Sequence, residues 1–462
     1  MPGNSTLLSS SLSGMREFYN SQQTKSYKFR LEKLKALKNA LIKHEGILLK
    51  ALFSDLKKSD EESYATEIGL IITELNVAIK NLRWWMMPSP ANTNLVNLPS
   101  SSKIYHDPLG VVLVIAPWNY PLQLSLIPLI GAIAGGNCAV LKPSELAPAT
   151  AAAISKLIAE IYQPGYIRVL EGKGEEIIPA LMDSFKFDHI FYTGSIPVGR
   201  SIYELAAKQL IPVTLELGGK SPAIVYNDAN ISVAARRIVL GKYLNAGQTC
   251  IAPDYVLVHI DSEQELIKKI AETINHFYSD EPAQSRDYAR IINEQRFDKL
   301  ESYLQQGTIV TGGKTDRSKL YIAPTVLTNI PGDSTIMEEE IFGPILPILS
   351  FTSTEEAQAI VQRNPDPLAF YLFTNDKVIQ KKWMQGTAFG GGCINNADWH
   401  FANHYLPFGG VGSSGMGSYH GKFSFETFTR KKPVMKTPAW FDPSIKYPPM
   451  KGRLGLFKWL FR

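Results

Sequence analysis

Between Asp107 and Lys142 the chain carries no charged side chain, and few architectures accept so long an uncharged run. Such a run either crosses a bilayer or lies at the centre of a large core. Its punctuation decides between them. Pro117, Pro121 and Pro128, Asn119 and Asn137, and the pair Gly135-Gly136 interrupt it. A single spanning helix has no use for these breaks. The run therefore reads as strand, turn, buried helix, turn, strand. The same alternation continues on both sides. Residues 111–115, 139–141, 167–170 and 189–192 are short β-branched runs, and the stretches near 122–134, 147–162 and 197–208 are helical in pattern. Strands that alternate with crossover helices pair in parallel, which predicts a doubly wound α/β sheet. A second alternating series runs from Pro222 to about Asn395, and residues 213–217 form the junction between the two.

Ahead of this region, Leu31, Leu34, Leu37, Leu41, Leu48 and Leu52 recur at helical spacing, giving an amphipathic helix over 25–56. Ser59 followed by Glu62 matches a capping box and starts a second helix that runs to about Trp84. The opening MPGNSTLLSSSLSG lacks the basic start and apolar run of a signal peptide and reads as a polar, frayed lead-in. With 45% hydrophobic and 20% charged residues, the chain of 462 residues has ordinary globular composition. Its net charge of +5 gives no case for a nucleic-acid partner. An odd count of 3 cysteines implies no disulfide framework and favours a reducing, cytoplasmic setting.

The cysteines differ in context. Cys138 (GGNCAVL) and Cys393 (GGGCINN) both read as small buried residues, whereas Cys250 lies in NAGQTCIAPDY, among polar and small neighbours where a loop can present a thiol. Glu216 stands in an apolar strand that ends in two glycines. It is either a solvent-facing strand residue or, if buried, a carboxylate whose raised pKa suits a general base. Lys142 and Glu145 follow the strand CAVLK, where open α/β sheets bind ligands. Taken alone they are equally an ordinary strand end and helix start. Tyr192-Thr193-Gly194-Ser195 leads into a helix whose first turn suits a phosphate, although it is not GxGxxG. Residues 386–424 are dense in glycine, and the interleaved Phe389, Trp399, Phe401, Phe408 and Tyr419 argue for tight packed turns rather than a floppy surface loop.

Together these segments resemble aldehyde dehydrogenases. The blocks APWNYP (116–121), LKPSE (141–145), FYTGS with VG (191–199), LELGGKSP (215–222), NAGQTC (245–250), EEEIFGP (338–344) and LPFGGVGSSGMG (406–417) occur in the family's order. The continuation IAPDY and the ending GSYHGKFSFETF look most like the class 3, fatty and aromatic aldehyde branch. The resemblance implies a Rossmann-type cofactor domain (about 1–85 and 106–217), an α/β catalytic domain (218–425), a bridging element for oligomerisation (86–105 and 426–445) and a tail (446–462). It implies that Cys250 attacks the aldehyde, that the Asn119 amide and the Cys250 N–H hold the developing oxyanion, and that Glu216 activates the water that hydrolyses a thioester. The cofactor is NAD, with NADP also accepted. It would contact Pro117, Trp118, Lys142, Ser144, Glu145, Gly194, Ser195, Val198, Leu217, Gly218, Glu340 and Phe342. Glu145 disfavours a ribose 2′-phosphate and so favours NAD. Tyr120, Thr249, Phe408 and His420 would line the substrate side, and a homodimer is expected. The alternative activity is a cysteine acyltransferase or thioesterase on the same scaffold, against which the retained cofactor residues speak.

Two other features invite readings. His400 and His404 lie four apart, but Phe401 stands where a zinc peptidase needs glutamate, so no metal is expected. The tail KGRLGLFKWLFR is too short to span a bilayer. It is expected to pack on its own subunit or on a partner, with an anionic membrane surface as the other reading.

Overall fold

The computed structural model describes residues 3–460, and side chains from Leu12 onward. Phe461 and Arg462, the end of the expected tail, lie outside the described residues. The first sheet has six strands in the order Gly415–Met416, Val213–Glu216, His189–Thr193, Val111–Ile115, Cys138–Lys142, Ile167–Val169. All its pairs are parallel except the first, where Gly415 sits opposite Glu216. The uncharged run is buried almost throughout, forming the strand Val111–Ile115, the helix Gln123–Gly135 and the strand Cys138–Lys142. Among the described residues no helix is long and apolar enough to cross a membrane. Asn137 explains why a polar residue is tolerated there. Its Oδ1 accepts from the Leu109 and Gly110 N–H groups, and its Nδ2 donates to the Ala132 and Phe428 carbonyls, so the buried amide is satisfied.

A second sheet of seven strands has the order Thr308–Thr311, Thr325–Thr328, Ile345–Phe351, Tyr255–His259, Pro222–Val225, Ala369–Phe373, Gly391–Ile394. It is parallel except at the Thr308–Thr311 edge. Each sheet has its own apolar core. A third sheet joins Ser89–Ala91, Ser101–Pro108 and Thr429–Lys436, all antiparallel. The stretch after Gly415 departs from the expected 218–425 unit. It adds a strand to the first sheet, and Tyr419, Phe425 and Phe428 join that sheet's core.

The helix Tyr27–Leu56 is capped by Ser26, whose hydroxyl accepts from the Phe29 N–H. Two N-terminal expectations need correction. The lead-in is a helix, Gly3–Asn20, because Leu12 and Met15 find the core and Arg16 pairs with Asp188 at 2.6 Å. The box at Ser59 is half formed: its hydroxyl accepts from the Glu62 N–H at 3.2 Å, while the Glu62 carboxylate points into the protein. The helix that follows, from Asp60 to Met86, contains a π-helical turn at Tyr64–Ile68. Such turns re-aim side chains and recur near functional sites. The helix Gly174–Ser184 was not anticipated.

Candidate active site

Cys250 follows an unusual backbone. After the helix Ile231–Tyr243, Asn245, Ala246 and Gly247 take φ values of 52°, 52° and 74° in succession. A left-handed alanine costs roughly 1–3 kcal/mol and persists only where its surroundings enforce it. Gly247 has no alternative, since a Cβ there would overlap the Gly343 carbonyl. The enforcing groups are buried. Glu62 Oε1 accepts from the Asn245 N–H at 2.7 Å, and Asn245 Nδ2 donates to the Asn119 carbonyl at 2.8 Å. Gln248 donates to the Asn245 and Arg290 carbonyls and accepts from the Ile292 N–H. The loop thus lays the half-buried Cys250 against a cavity with a largely apolar lining. Burial raises the Cys250 thiol, and the carboxyls of Glu340, Glu216 and Asp398 raise it further.

Asn119 lies 2% exposed, just beyond the carboxyl end of the strand Val111–Ile115. Its Nδ2 donates to the Gln248 carbonyl at 3.0 Å, tying it to the cysteine loop. Its own carbonyl accepts from Lys58 Nζ at 3.1 Å. Lys58 is fully buried and pairs at 2.7 Å with Glu67, whose other oxygen accepts from the Leu122 and Gln123 N–H groups. The π-turn helix and Lys58, two residues ahead of it, therefore clamp Asn119 and the cysteine loop from beneath.

Glu216 ends its strand inside the protein, 2% exposed, and the solvent-facing alternative is ruled out. Both of its carboxyl oxygens lack any protein partner, and the side chain lines the same cavity as Cys250. Desolvation pushes its pKa well above the usual carboxylate range, so burial favours its neutral form.

The four residues expected on the substrate side all meet there. Tyr120 and Thr249 share a hydroxyl hydrogen bond of 2.7 Å. Phe408 stacks on His420 at 5.3 Å and on His400 at 6.0 Å. Burial lowers His420 to about 4, so its ring is neutral. Asp398 also lines the cavity, with Oδ1 unpartnered and its pKa raised to about 7 by burial. No local pattern in the sequence marks it. Cys138 is buried as expected, but Cys393 is only partly buried, 3.9 Å from His400 Nδ1. His404 lies against Tyr405 instead.

The cofactor-side residues gather at the carboxyl ends of the first sheet's strands. Lys142 is buried, and its Nζ donates to Glu145 at 2.5 Å and to the Pro143 carbonyl at 3.0 Å. Burial raises the Glu145 carboxyl, but the Lys142 bond and the Gly174 N–H outweigh it and hold it below its ordinary range. Ser144 Oγ accepts from the Leu146 N–H. Gly194 follows Thr193, and Ser195 precedes the helix Ile196–Ala207 with no side-chain cap and with Pro197 in the first turn. Val198 is 47% exposed there. This helix start offers unspent N–H groups of the kind that receive a phosphate. A Cβ at Gly218 would displace the Glu340 carboxyl that lies against it. Burial, helped by Asp254, raises Glu340 to about 8. Phe342 meets Trp118, the neighbour of Pro117, edge-on at 5.3 Å. Leu217 lines the cavity, its N–H donating to the Ser414 carbonyl. A glycine cradle, an uncapped helix start and a lysine–glutamate pair on one sheet edge fit a dinucleotide.

Comparison with known proteins agrees with this geometry. The sequence profile of the aldehyde dehydrogenase family matches residues 12–434, and the chain belongs to that family. It is 46% identical to a 4,4′-diaponeurosporen-aldehyde dehydrogenase of Staphylococcus aureus, over 97% of each chain. It is 45% identical to aldehyde dehydrogenase family 3 member H1 of Arabidopsis thaliana, over 96% of this chain and 93% of that one. A substrate-bound structure of Staphylococcus aureus AldH superposes with a TM-score of 0.96 at 46% identity, covering 98% of this chain and 99% of the other. The protein is thus an aldehyde-oxidising oxidoreductase. Family structures in complex with NAD+ and with NADP identify the cofactor class.

Proposed function

We propose that the protein oxidises an extended apolar or aromatic aldehyde to its acid through a thioester on Cys250. The observation that carries this reading is Glu216: a buried carboxyl with two unpartnered oxygens, facing the same cavity as the thiol. A structural role gives no reason to leave such a group unpaired. In the proposed sequence the Cys250 thiol gives up its proton to solvent water, the sulfur attacks the aldehyde carbon, and a tetrahedral adduct forms. Asn119 Nδ2, oriented by the Gln248 carbonyl, and the Cys250 N–H receive the adduct's oxygen. Bound NAD(P) supplies the two-electron acceptor that turns the adduct into a thioester. Glu216, once ionised, takes a proton from the water that attacks the thioester carbon, and Cys250 leaves as thiolate.

The cavity wall of Tyr120, Phe408, Leu217 and Tyr419 favours an apolar chain, and the Staphylococcus relative named for a carotenoid aldehyde points the same way. The ionised Glu145 favours NAD over NADP. The protein is further read as a cytoplasmic homodimer. Its edge strand Thr429–Lys436, with Val434 and Met435 exposed, is the element open to a second copy.

The test follows NADH and NADPH formation at about 340 nm with short, long and aromatic aldehydes, for wild type beside Cys250→Ala. Wild type is expected to reduce NAD fastest with apolar aldehydes, and the variant not at all. A folded, NAD-binding protein that is inactive on every aldehyde but hydrolyses thioesters would overturn the proposal.

A further inference from the structure

The tail leaves the body of the protein without docking on it. Among the described residues none beyond Thr429 is buried, which removes the expectation that the tail packs on its own subunit. From residue 441 onward its hydrogen bonds are internal. Arg453 Nη1 donates to the carbonyls of Ser444, Ile445 and Tyr447, and the Tyr447 hydroxyl donates to Asp442. This builds a small ordered loop followed by the helix Leu454–Leu460. The surface presented is apolar and aromatic: Trp440 is 80% exposed, Trp459 70% and Leu454 64%.

Charge identifies the occupant. Residues 437–462 hold Lys446, Lys451, Arg453, Lys458 and Arg462 against a single acidic residue, Asp442. The other 43 lysines and arginines are balanced to within one charge by the other 42 aspartates and glutamates, so +4 of the net charge of +5 lies in this tail. A partner copy offers the tail a body that is close to neutral and slightly positive. An anionic lipid surface offers both a negative potential and an apolar boundary for the tryptophans. A helix of seven residues is about 10 Å long and cannot cross a hydrocarbon core of about 30 Å.

We propose that residues 437–462 form an interfacial anchor that lays the enzyme on anionic membranes through Trp440, Trp459 and Leu454, flanked by Lys446, Lys451 and Lys458. This does not depend on the substrate reading, because the contact is made by residues outside the cavity.

The full chain is floated with phosphatidylcholine vesicles and with vesicles of equal parts phosphatidylcholine and phosphatidylglycerol. Binding is expected to the mixed vesicles only, and to vanish near 1 M salt, where screening acts within about 3 Å. Replacing Lys451 and Lys458 by glutamine lowers partitioning roughly thirtyfold, about fivefold per cation. Trp440→Ser with Trp459→Ser abolishes it, while turnover of a soluble aldehyde stays at the wild-type rate. Sedimentation without lipid accompanies each variant. Equal binding to both vesicle types, no binding to either, or a tail variant that dissociates the oligomer would overturn the proposal, the last by assigning this surface to a second copy.

Discussion

Replacing Glu62 with glutamine tests the clamp beneath the cysteine loop. The side chain is buried, its carboxylate accepts the Asn245 N–H at 2.7 Å, and burial raises its pKa from 4.5 to about 7 against the opposing pull of Lys58 and that N–H. The folded chain therefore keeps a proton that the unfolded chain releases. Stability is undiminished below about pH 4.5 and falls as pH rises toward 7, then levels off. At 1.36 kcal/mol per pH unit the loss is roughly 3 kcal/mol. Glutamine keeps the shape and an acceptor oxygen but does not titrate. Unfolding entropy of about 2.1 cal/mol/K per residue gives about 1 kcal/mol per kelvin for a chain of this length. The Tm of the Glu62→Gln variant, relative to wild type, is thus expected to climb by about 3 °C between pH 4.5 and pH 8. Differential scanning calorimetry at matched scan rates reads this directly. Parallel Tm curves across that range would mean that Glu62 ionises as it does in water, and the buried clamp would be wrong.

Glu216→Gln should leave the first burst of reduced cofactor intact and slow steady turnover by about 10²–10⁴-fold, read by stopped-flow absorbance. In wild type the deacylation rate should rise with pH, because a carboxyl raised by desolvation must ionise before it can take a proton. Asn119→Ala should slow the burst itself by about 10²–10³-fold in single-turnover experiments. Lys58→Met strands the buried Glu67 charge, and should cost about 3–5 kcal/mol in denaturant titrations.

The residues proposed to react were legible as candidates because each sits in a short block, and the family resemblance, not the block alone, supplied their roles. Cys250 stands in NAGQTC, Asn119 in PWNY and Glu216 at a strand end before two glycines. Strand–helix alternation gave the doubly wound sheet, and with it the edge where Lys142, Gly194 and Gly218 meet. What supports these residues was not legible. Glu62 satisfies a local capping pattern, yet its carboxylate serves a backbone N–H 183 residues away. Lys58 reaches Asn119 across 61 residues, and Asp398 enters the cavity from a loop with φ 68°. Such partners act through generic backbone groups and leave no periodicity to find. The opening helix was missed for a related reason: serine and glycine obscured a segment whose burial of Leu12 and Met15 is decided by tertiary packing.

The pairing of Leu215 with Met416 and of Glu216 with Gly415 joins segments about 200 residues apart. At 5–20 residues per second a ribosome needs roughly 10–40 s to cover that distance. For most of this interval the nascent chain holds the Cys250 thiol and the Glu216 carboxyl, but not the strand opposite Glu216 or the Phe408–His420 wall that lines the cavity. A chain stalled before residue 415 would therefore carry Cys250 without a complete chamber around it.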